Sequence, residues 1–201
     1  MNKTTAPKNA GTRQNILDAG NRIMAAKGFS AVGLNEILTA ASVPKGSFYN
    51  YFSSKEAFGE ALLDSYFDDY LSEMNALFSR PDLTAAQQLM EYFHQWRNNQ
   101  SFEECQGKCL AVKLGAEVAD LSEAMREALR RGTAAITQHL ASAIKAGMAD
   151  GSLKVDGDPD DMAQSLYQLW LGASVMVKIM RDAQPFDAAL AATQKWLNLP
   201  R

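Results

Sequence analysis

The sequence predicts an all-α protein of about nine helices: an N-terminal three-helix head carrying a helix-turn-helix, on a larger C-terminal helical bundle. Three observations predict it. No stretch of the 201 residues sustains the two-residue alternation of β-branched side chains that a half-buried strand needs. Apolar residues recur instead at spacings of three and four. The six prolines (Pro7, Pro44, Pro81, Pro159, Pro185 and Pro200) fall at breaks between those periodic segments. Hydrophobic residues make up 47% and charged residues 21%, a globular balance that excludes wholesale disorder.

In chain order, a first helix is expected from about Arg13 to Lys27, capped by Thr12 and ended by Gly28. Ile16, Leu17, Gly20, Ile23 and Met24 share its inner face. A second helix spans about Leu34–Ala41, with Leu34, Ile37, Leu38 and Ala41 inward, and a short third covers about Lys45–Tyr51. Ser53 and Ser54 offer a cap for a long fourth helix to roughly Phe78, whose stripe is Phe58, Leu62, Phe67, Leu71, Met74 and Leu77 or Phe78. A fifth helix follows over about Thr84–Asn99. The sixth begins near Lys108 and ends before Asp120. The seventh runs from Ser122 to about Asp150, the eighth over about Asp160–Arg181 and the ninth over about Phe186–Leu197. The head is therefore residues 1–53 and the body 54–201.

The net charge of −3 conceals an asymmetry. Residues 1–55 hold seven cations against two anions, a net +5, whereas the rest holds 13 cations and 21 anions, a net −8. A basic head on an acidic body excludes a protein that coats nucleic acid with its whole surface and points to one that contacts it with one end. Two cysteines cannot build a disulfide scaffold. The first residues are polar and lack the apolar core of a signal peptide, and the uncharged run Leu166–Val177 is too short to span a bilayer. These features imply a soluble cytoplasmic protein with no membrane partner and with both thiols free at rest.

The two short helices are joined by Ala41-Ser42-Val43-Pro44, a helix-turn-helix whose second helix is the one that enters a major groove. Phe48 and Phe52, at i and i+4, face inward. Lys45, Ser47, Tyr49, Asn50 and Tyr51 stay outside and present a cation, hydroxyls and an amide, the groups that meet phosphates and base edges. Pro44 needs no amide donor in the first turn, and Gly46 permits close backbone approach. Lys55 adds charge at the start of the fourth helix, where backbone amides favour a phosphate.

The stretch Gly28-Phe29 … Ile37 … Ala40-Ala41-Ser42-Val43-Pro44-Lys45-Gly46-Ser47-Phe48-Tyr49-Asn50-Tyr51-Phe52-Ser53-Ser54-Lys55-Glu56 resembles the DNA-binding head of TetR-family repressors. The resemblance covers about residues 12–58. It implies a double-stranded operator as partner and Thr12, Lys45, Gly46, Ser47, Tyr49, Asn50, Tyr51 and Lys55 as the DNA-binding set. Two positions depart from the pattern. Gly33 stands where the family has Ser or Thr capping the second helix, and Tyr51 where many members have His.

The eighth helix is the least polar segment, with Met162, Leu166, Tyr167, Leu169, Trp170, Leu171, Val175, Met176, Val177, Ile179 and Met180 on all its sides. Such a helix must be enclosed, one side by the core and the other by a partner. The resemblance implies that the last two helices make the homodimer. It also implies an inducer pocket within helices four to eight, with Tyr66, Tyr92, Trp96, Met125, Tyr167 and Trp170 as candidate walls. Large side chains at helical spacing serve as core at least as often.

Cys105-Gln106-Gly107-Lys108-Cys109 places two thiols at a loop-to-helix junction. Cys109 is expected in the first turn of the sixth helix, where the dipole, Lys108 and Lys113 favour a thiolate. Glu103 and Glu104 oppose ionisation of Cys105. Lys178, the lone charge between Asp161 and Arg181, needs an anion if buried (Cys109, Glu117 or Asp120), or reaches water from a dimer edge. The stretch from Lys108 to Arg126, with Leu169-Trp170-Leu171-Gly172-Ala173 and Lys178, resembles the NemR type within the family. That resemblance implies sensing of small reactive electrophiles or oxidants through Cys109, with Lys178 as its partner. A Cys105–Cys109 disulfide and an inert, buried Cys109 both stay open.

A repressor released by modification of Cys109 is therefore the leading expectation. The alternative is a repressor induced by reversible binding of a small apolar ligand. A helical thiol redox enzyme using Cys105 and Cys109 is remote, because it leaves the basic head without a role. No catalytic residue, cofactor or metal is expected: His94 and His139 lack metal-ligand spacing to the cysteines.

Overall fold

A computed structural model describes residues 8–99 and 109–199, which are helical with no strand. The helices are α1 (Lys8–Lys27), α2 (Leu34–Ala40), α3 (Lys45–Phe48), α4 (Lys55–Phe78), α5 (Ala85–Asn99), α6 (Leu110–Leu121), α7 (Glu123–Ala149), α8 (Pro159–Met180) and α9 (Gln184–Trp196).

Local chemistry explains most of the boundaries. Gly28, at φ 93°, stops α1. Ser54 caps α4 by accepting from the amide of Ala57 at 3.0 Å. Thr84 and Gln87 form a reciprocal capping box on α5: the Thr84 amide donates to Gln87 Oε1 at 2.9 Å and the Gln87 amide to Thr84 Oγ1 at 3.3 Å. Asp158 accepts from the Asp160 amide at 2.7 Å, so α8 opens at Pro159, one residue before the expected start.

Three expectations are corrected. The described helix α1 already includes Lys8, so Thr12 lies inside the helix instead of capping it. Regular helix in α3 ends at Phe48; turn bonds from Asn50, Tyr51 and Phe52 carry the chain onward. Cys109 is the N-cap residue of α6, one position before the helix proper.

The described chain groups into two compact units. The first holds the residues up to Phe67 together with Cys109–Arg130. The expected head lies whole within it, joined by the first half of α4, by α6 and by the start of α7. Ile16, Met24, Ile37, Phe48 and Phe58 are fully enclosed in its core. Phe58 of α4 lies 5.7 Å from the ring of Phe48 and 5.1 Å from that of Phe52. On its other side it packs on Gly20 of α1, where any Cβ would collide with the Phe58 ring and come 3.0 Å from Leu62 Cδ1.

The second unit holds residues 68–99 and 131–199 of the described chain. Its core is a stack: Phe93 of α5 on Trp170 of α8 at 4.9 Å, and Trp170 on Phe186 of α9 at 5.7 Å. The indole N–H groups are satisfied inside it. Trp96 donates to Ser174 Oγ and Trp170 to Thr193 Oγ1, both at 2.9 Å. After α7, Asp150 and Ser152 accept from the first amides of α5, those of Ala85 and Ala86, at 3.1 Å each. Helix α8 has two faces. Leu166, Trp170 and Val177 are buried, while Val175, Met176, Ile179 and Met180 are exposed, Ile179 to 68%.

Gly20→Val would drive a branched side chain into the Phe58 ring. Chemical denaturation of the variant should show a loss of about 2–3 kcal/mol, the cost of overpacking a filled core.

Candidate nucleic-acid interface and thiol site

The turn before α3 is built like a helix stop. Ser42 takes φ 54° and its amide donates to Thr39 O at 3.1 Å, while the Val43 amide donates to Leu38 O at 2.9 Å. This is a Schellman arrangement with serine in the place that glycine usually takes. Pro44 then starts α3 as its cap residue. Phe48 and Phe52 are buried beneath it, as expected, which leaves Lys45, Gly46, Tyr49 and Asn50 exposed and Ser47 and Tyr51 half-buried. Tyr49 is 55% exposed, with its ring meeting that of the buried Phe48 edge-on at 5.5 Å. Arg13 of α1 lies over the Phe52 ring at 5.4 Å from its centroid. Thr12 is half-buried on α1.

Cys109 is buried, 8% exposed. Its carbonyl accepts the Lys113 amide at 3.0 Å and so opens α6, but its side chain makes no capping bond. The hydroxyl of Tyr66, from α4, instead donates to Cys109 Sγ at 3.6 Å. A phenol donor and a helix N-terminus both favour a thiolate over a thiol.

Two turns further along α6, Glu117 reaches the turn between α1 and α2. Its carboxylate accepts the amides of Phe29, at 3.1 Å, and Ser30, at 2.7 Å. The Phe29 carbonyl accepts Lys55 Nζ at 2.8 Å, and that ammonium stands 4.5 Å from the Phe29 ring centroid. One peptide unit is thereby held by α6 on its N–H side and by α4 on its C=O side. A Cβ at Gly28 would come 2.9 Å from Glu117 Oε2, so glycine is needed there for space as well as for its positive φ. Burial pushes the Glu117 carboxyl up, but the Ser30 and Phe29 hydrogen bonds and the Lys113 charge outweigh it and hold the group below the usual carboxylate range.

Residues 16–62 match the family model for bacterial regulatory proteins of the tetR family. Residues 85–193 match that for the tetracyclin repressor-like C-terminal domain. The chain belongs to the TetR family. It is 38% identical over 200 residues to the HTH-type transcriptional repressor NemR of Escherichia coli, covering 100% of this chain and 99% of that one. It is 32% identical over 179 residues to the repressor DhaR of a Mycobacterium species, covering 89% and 88%. The crystal structure of the reduced form of E. coli NemR superposes with a TM-score of 0.89 at 39% identity, over 94% of this chain and 98% of that one. The protein is a TetR-type transcriptional repressor close to NemR, and its relatives are regulators, not enzymes.

For a TetR repressor, the remaining residues named from the sequence fall into three groups. Cys105 lies outside the described residues. Lys178 stands half-buried in the last turn of α8, where the helix C-terminus favours a cation. Of the named pocket walls, Tyr66 and Met125 belong to the first unit, and Tyr92, Trp96, Tyr167 and Trp170 to the second. Those four pack on one another, with Trp96 5.8 Å from Tyr92, 5.7 Å from Tyr167 and 5.9 Å from Trp170. Tyr92 also shares a 2.8 Å hydrogen bond with Tyr70. Among the described residues no cluster of three metal-binding side chains occurs, and no helix is long and apolar enough to cross a membrane.

Sequence reasoning missed the bond from Glu117 to the turn. Glu117 stands 88 residues from Phe29, with nothing local to mark the pair. The signal that could have raised it is Gly28-Phe29, a helix stop whose following amides need an acceptor.

The lowered Glu117 carboxyl carries a sign. Its contribution to stability is present above the unfolded value near 4.3 and fades as pH falls through the lower folded value. Acid titration followed by circular dichroism should therefore show Glu117→Gln losing less stability than the parent between pH 5 and the acid limit, from a lower starting point.

Proposed function

We propose that this repressor binds a near-palindromic operator as a homodimer and is released when a small electrophile or oxidant modifies Cys109. The observation that carries the thiol reading is the Tyr66 hydroxyl on Cys109 Sγ at the opening of α6. The exposed apolar face of α8, with Trp196 of α9 also 37% exposed, supports dimerisation through the last two helices. Two heads then meet half-sites about one helical turn apart. Lys45 and the open Tyr49 serve phosphate and groove contacts, with Ser47, Asn50 and Tyr51 beside them.

Chemically, the thiolate adds to the electrophilic carbon of a quinone or unsaturated aldehyde. An S–C bond forms, and the electron pair displaced onto the acceptor takes a proton from water. With hypochlorous acid the sulfur gives up two electrons, chloride leaves, and a sulfenic acid forms. Either product adds volume where 8% exposure leaves little room. Lys178 is the proposed partner of the thiol, and the family resemblance is its support.

Cys109→Ser should hold operator after a quinone treatment that releases the parent, read by fluorescence anisotropy. Equal release of both would overturn thiol sensing, and release that washes out with protein mass unchanged would favour a reversible apolar ligand. Tyr66→Phe should slow alkylation of Cys109 at neutral pH by about three- to fivefold, because losing the hydroxyl donor lowers the thiolate fraction more than it raises the nucleophilicity of the thiolate that remains.

With roughly four to six phosphates neutralised by the dimer, operator affinity should fall about 10²- to 10³-fold between 50 and 200 mM salt. Lys45→Ala should weaken binding and flatten that slope. A monomer, or a salt-independent affinity, would overturn the operator reading.

A further inference from the structure

Operator recognition is assigned above to α3 and its neighbours, yet the turn that orients the helix-turn-helix on α1 is held by a residue far outside the head. Glu117 lies on α6, the helix opened by Cys109. Its two carboxylate oxygens take up both amides that follow the α1 stop, Phe29 at 3.1 Å and Ser30 at 2.7 Å. From the opposite side Lys55 of α4 takes the Phe29 carbonyl at 2.8 Å. The fit is close enough that a side chain on Gly28 would strike the carboxylate. A neutral capping residue would satisfy the same amides within the loop. Here the acceptor comes instead from a distant helix, which makes the placement of the head depend on the placement of α6.

We propose that Glu117 is a positioning residue for operator binding: through the amides of Phe29 and Ser30 it sets where the α1–α2 turn, and with it the helix-turn-helix, is held against α6. Glu117 touches no DNA on this assignment. It acts through the turn. Its second consequence rests on the thiol reading above. Cys109 and Glu117 are eight residues apart on one helix, about 12 Å along its axis. Leu110, Leu114 and Val118, on the same helix, are buried. A close-packed helix moves as a body, so a displacement at its cap reaches the carboxylate, and the turn is carried with it or let go.

The test uses the full-length protein, a labelled operator duplex, and hydrogen exchange at the Phe29 and Ser30 amides. Glu117→Ala should bind operator about tenfold more weakly than the parent, within the range of coupling between sites. The Ser30 amide should exchange faster, while helix content stays as in the parent. Glu117→Gln keeps the shape and one acceptor oxygen but turns an N–H₂ toward the second amide, so it should fall between the two. Parent affinity in both variants, or unchanged Ser30 exchange, overturns the assignment. Should Glu117→Ala fail to fold, Glu117→Gln and the exchange of the untouched parent still decide. In the parent, N-ethylmaleimide treatment should raise Ser30 exchange as operator is released. Release with Ser30 still protected overturns the relay through Glu117. Failure of the reagent to release the parent counts against thiol sensing, and the two variants judge the positioning role without it.

Discussion

Phe29 is the residue at which three elements of the first unit are tied together. Its N–H is taken by a carboxylate, its C=O by an ammonium, and its ring is buried with that ammonium above it. Each bond is charge-assisted, a class worth about 1.5–3 kcal/mol where a neutral bond contributes about 1. The three elements that meet there, the α1–α2 turn, α4 and α6, therefore hold one geometry. Gly59 of α4 extends the same constraint, since a Cβ there would come 2.7 Å from Phe29 Cε2. Phe58, the preceding residue, packs on Phe48 and Phe52 beneath α3. The segment that reads DNA is thus anchored by aromatic packing from below, and its orientation is set from the side by ionised groups.

Aromatic packing and ionic bonds differ in what they permit. Burial of Phe48 and Phe52 is non-directional and survives small shifts, so it secures the head as a folded object. The Glu117 and Lys55 bonds are directional, weaken steeply when misaligned, and so define angle and register. A repressor needs both properties: a head that stays folded when released, and an orientation that alters for a few kcal/mol. The second unit keeps its inter-helix ion pairs, Arg97–Asp187 and Lys145–Asp160, at the exposed surface. Its stacked Phe93, Trp170 and Phe186 and its indole hydrogen bonds to Ser174 and Thr193 are all uncharged.

Most of the fold was legible in the sequence because local signals coincide with the boundaries. Ser54, Thr84 with Gln87, and the Asp158-Pro159 pair announce helix starts, and Gly28 announces a stop. The head was legible for the same reason: inward Phe48 and Phe52 at i and i+4 leave few positions free to face outward. Two kinds of feature were not. The place of Thr12 inside α1 was one, because a threonine that fits a cap also fits a helix interior and propensity alone does not mark an end. Long-range polar pairs left no trace, because Tyr66 and Cys109 are 43 residues apart and Glu117 and Phe29 are 88 apart. Periodicity assigns a residue to a face of its own helix and is silent on which distant amide or thiol that face meets. Glu117 was therefore named only as a possible anion for Lys178, while both its oxygens serve the turn.

The placement of the thiol follows from the same division of labour. A sensor exposed at the surface would gain adducts without moving anything, since solvent yields. A sensor sealed in an apolar core would keep its thiol protonated and unreactive. Cys109 meets both demands at once. On the proposed reading, it is buried enough that added volume must displace its surroundings, and it sits where a helix N-terminus and the Tyr66 hydroxyl favour a thiolate. Being the cap residue and not a member of the first turn matters here. The side chain makes no bond to the helix amides, so modification costs the helix no cap of its own and need not unwind α6. On the proposed reading, what an adduct displaces is then the intact helix, and an intact helix is the object that carries Glu117.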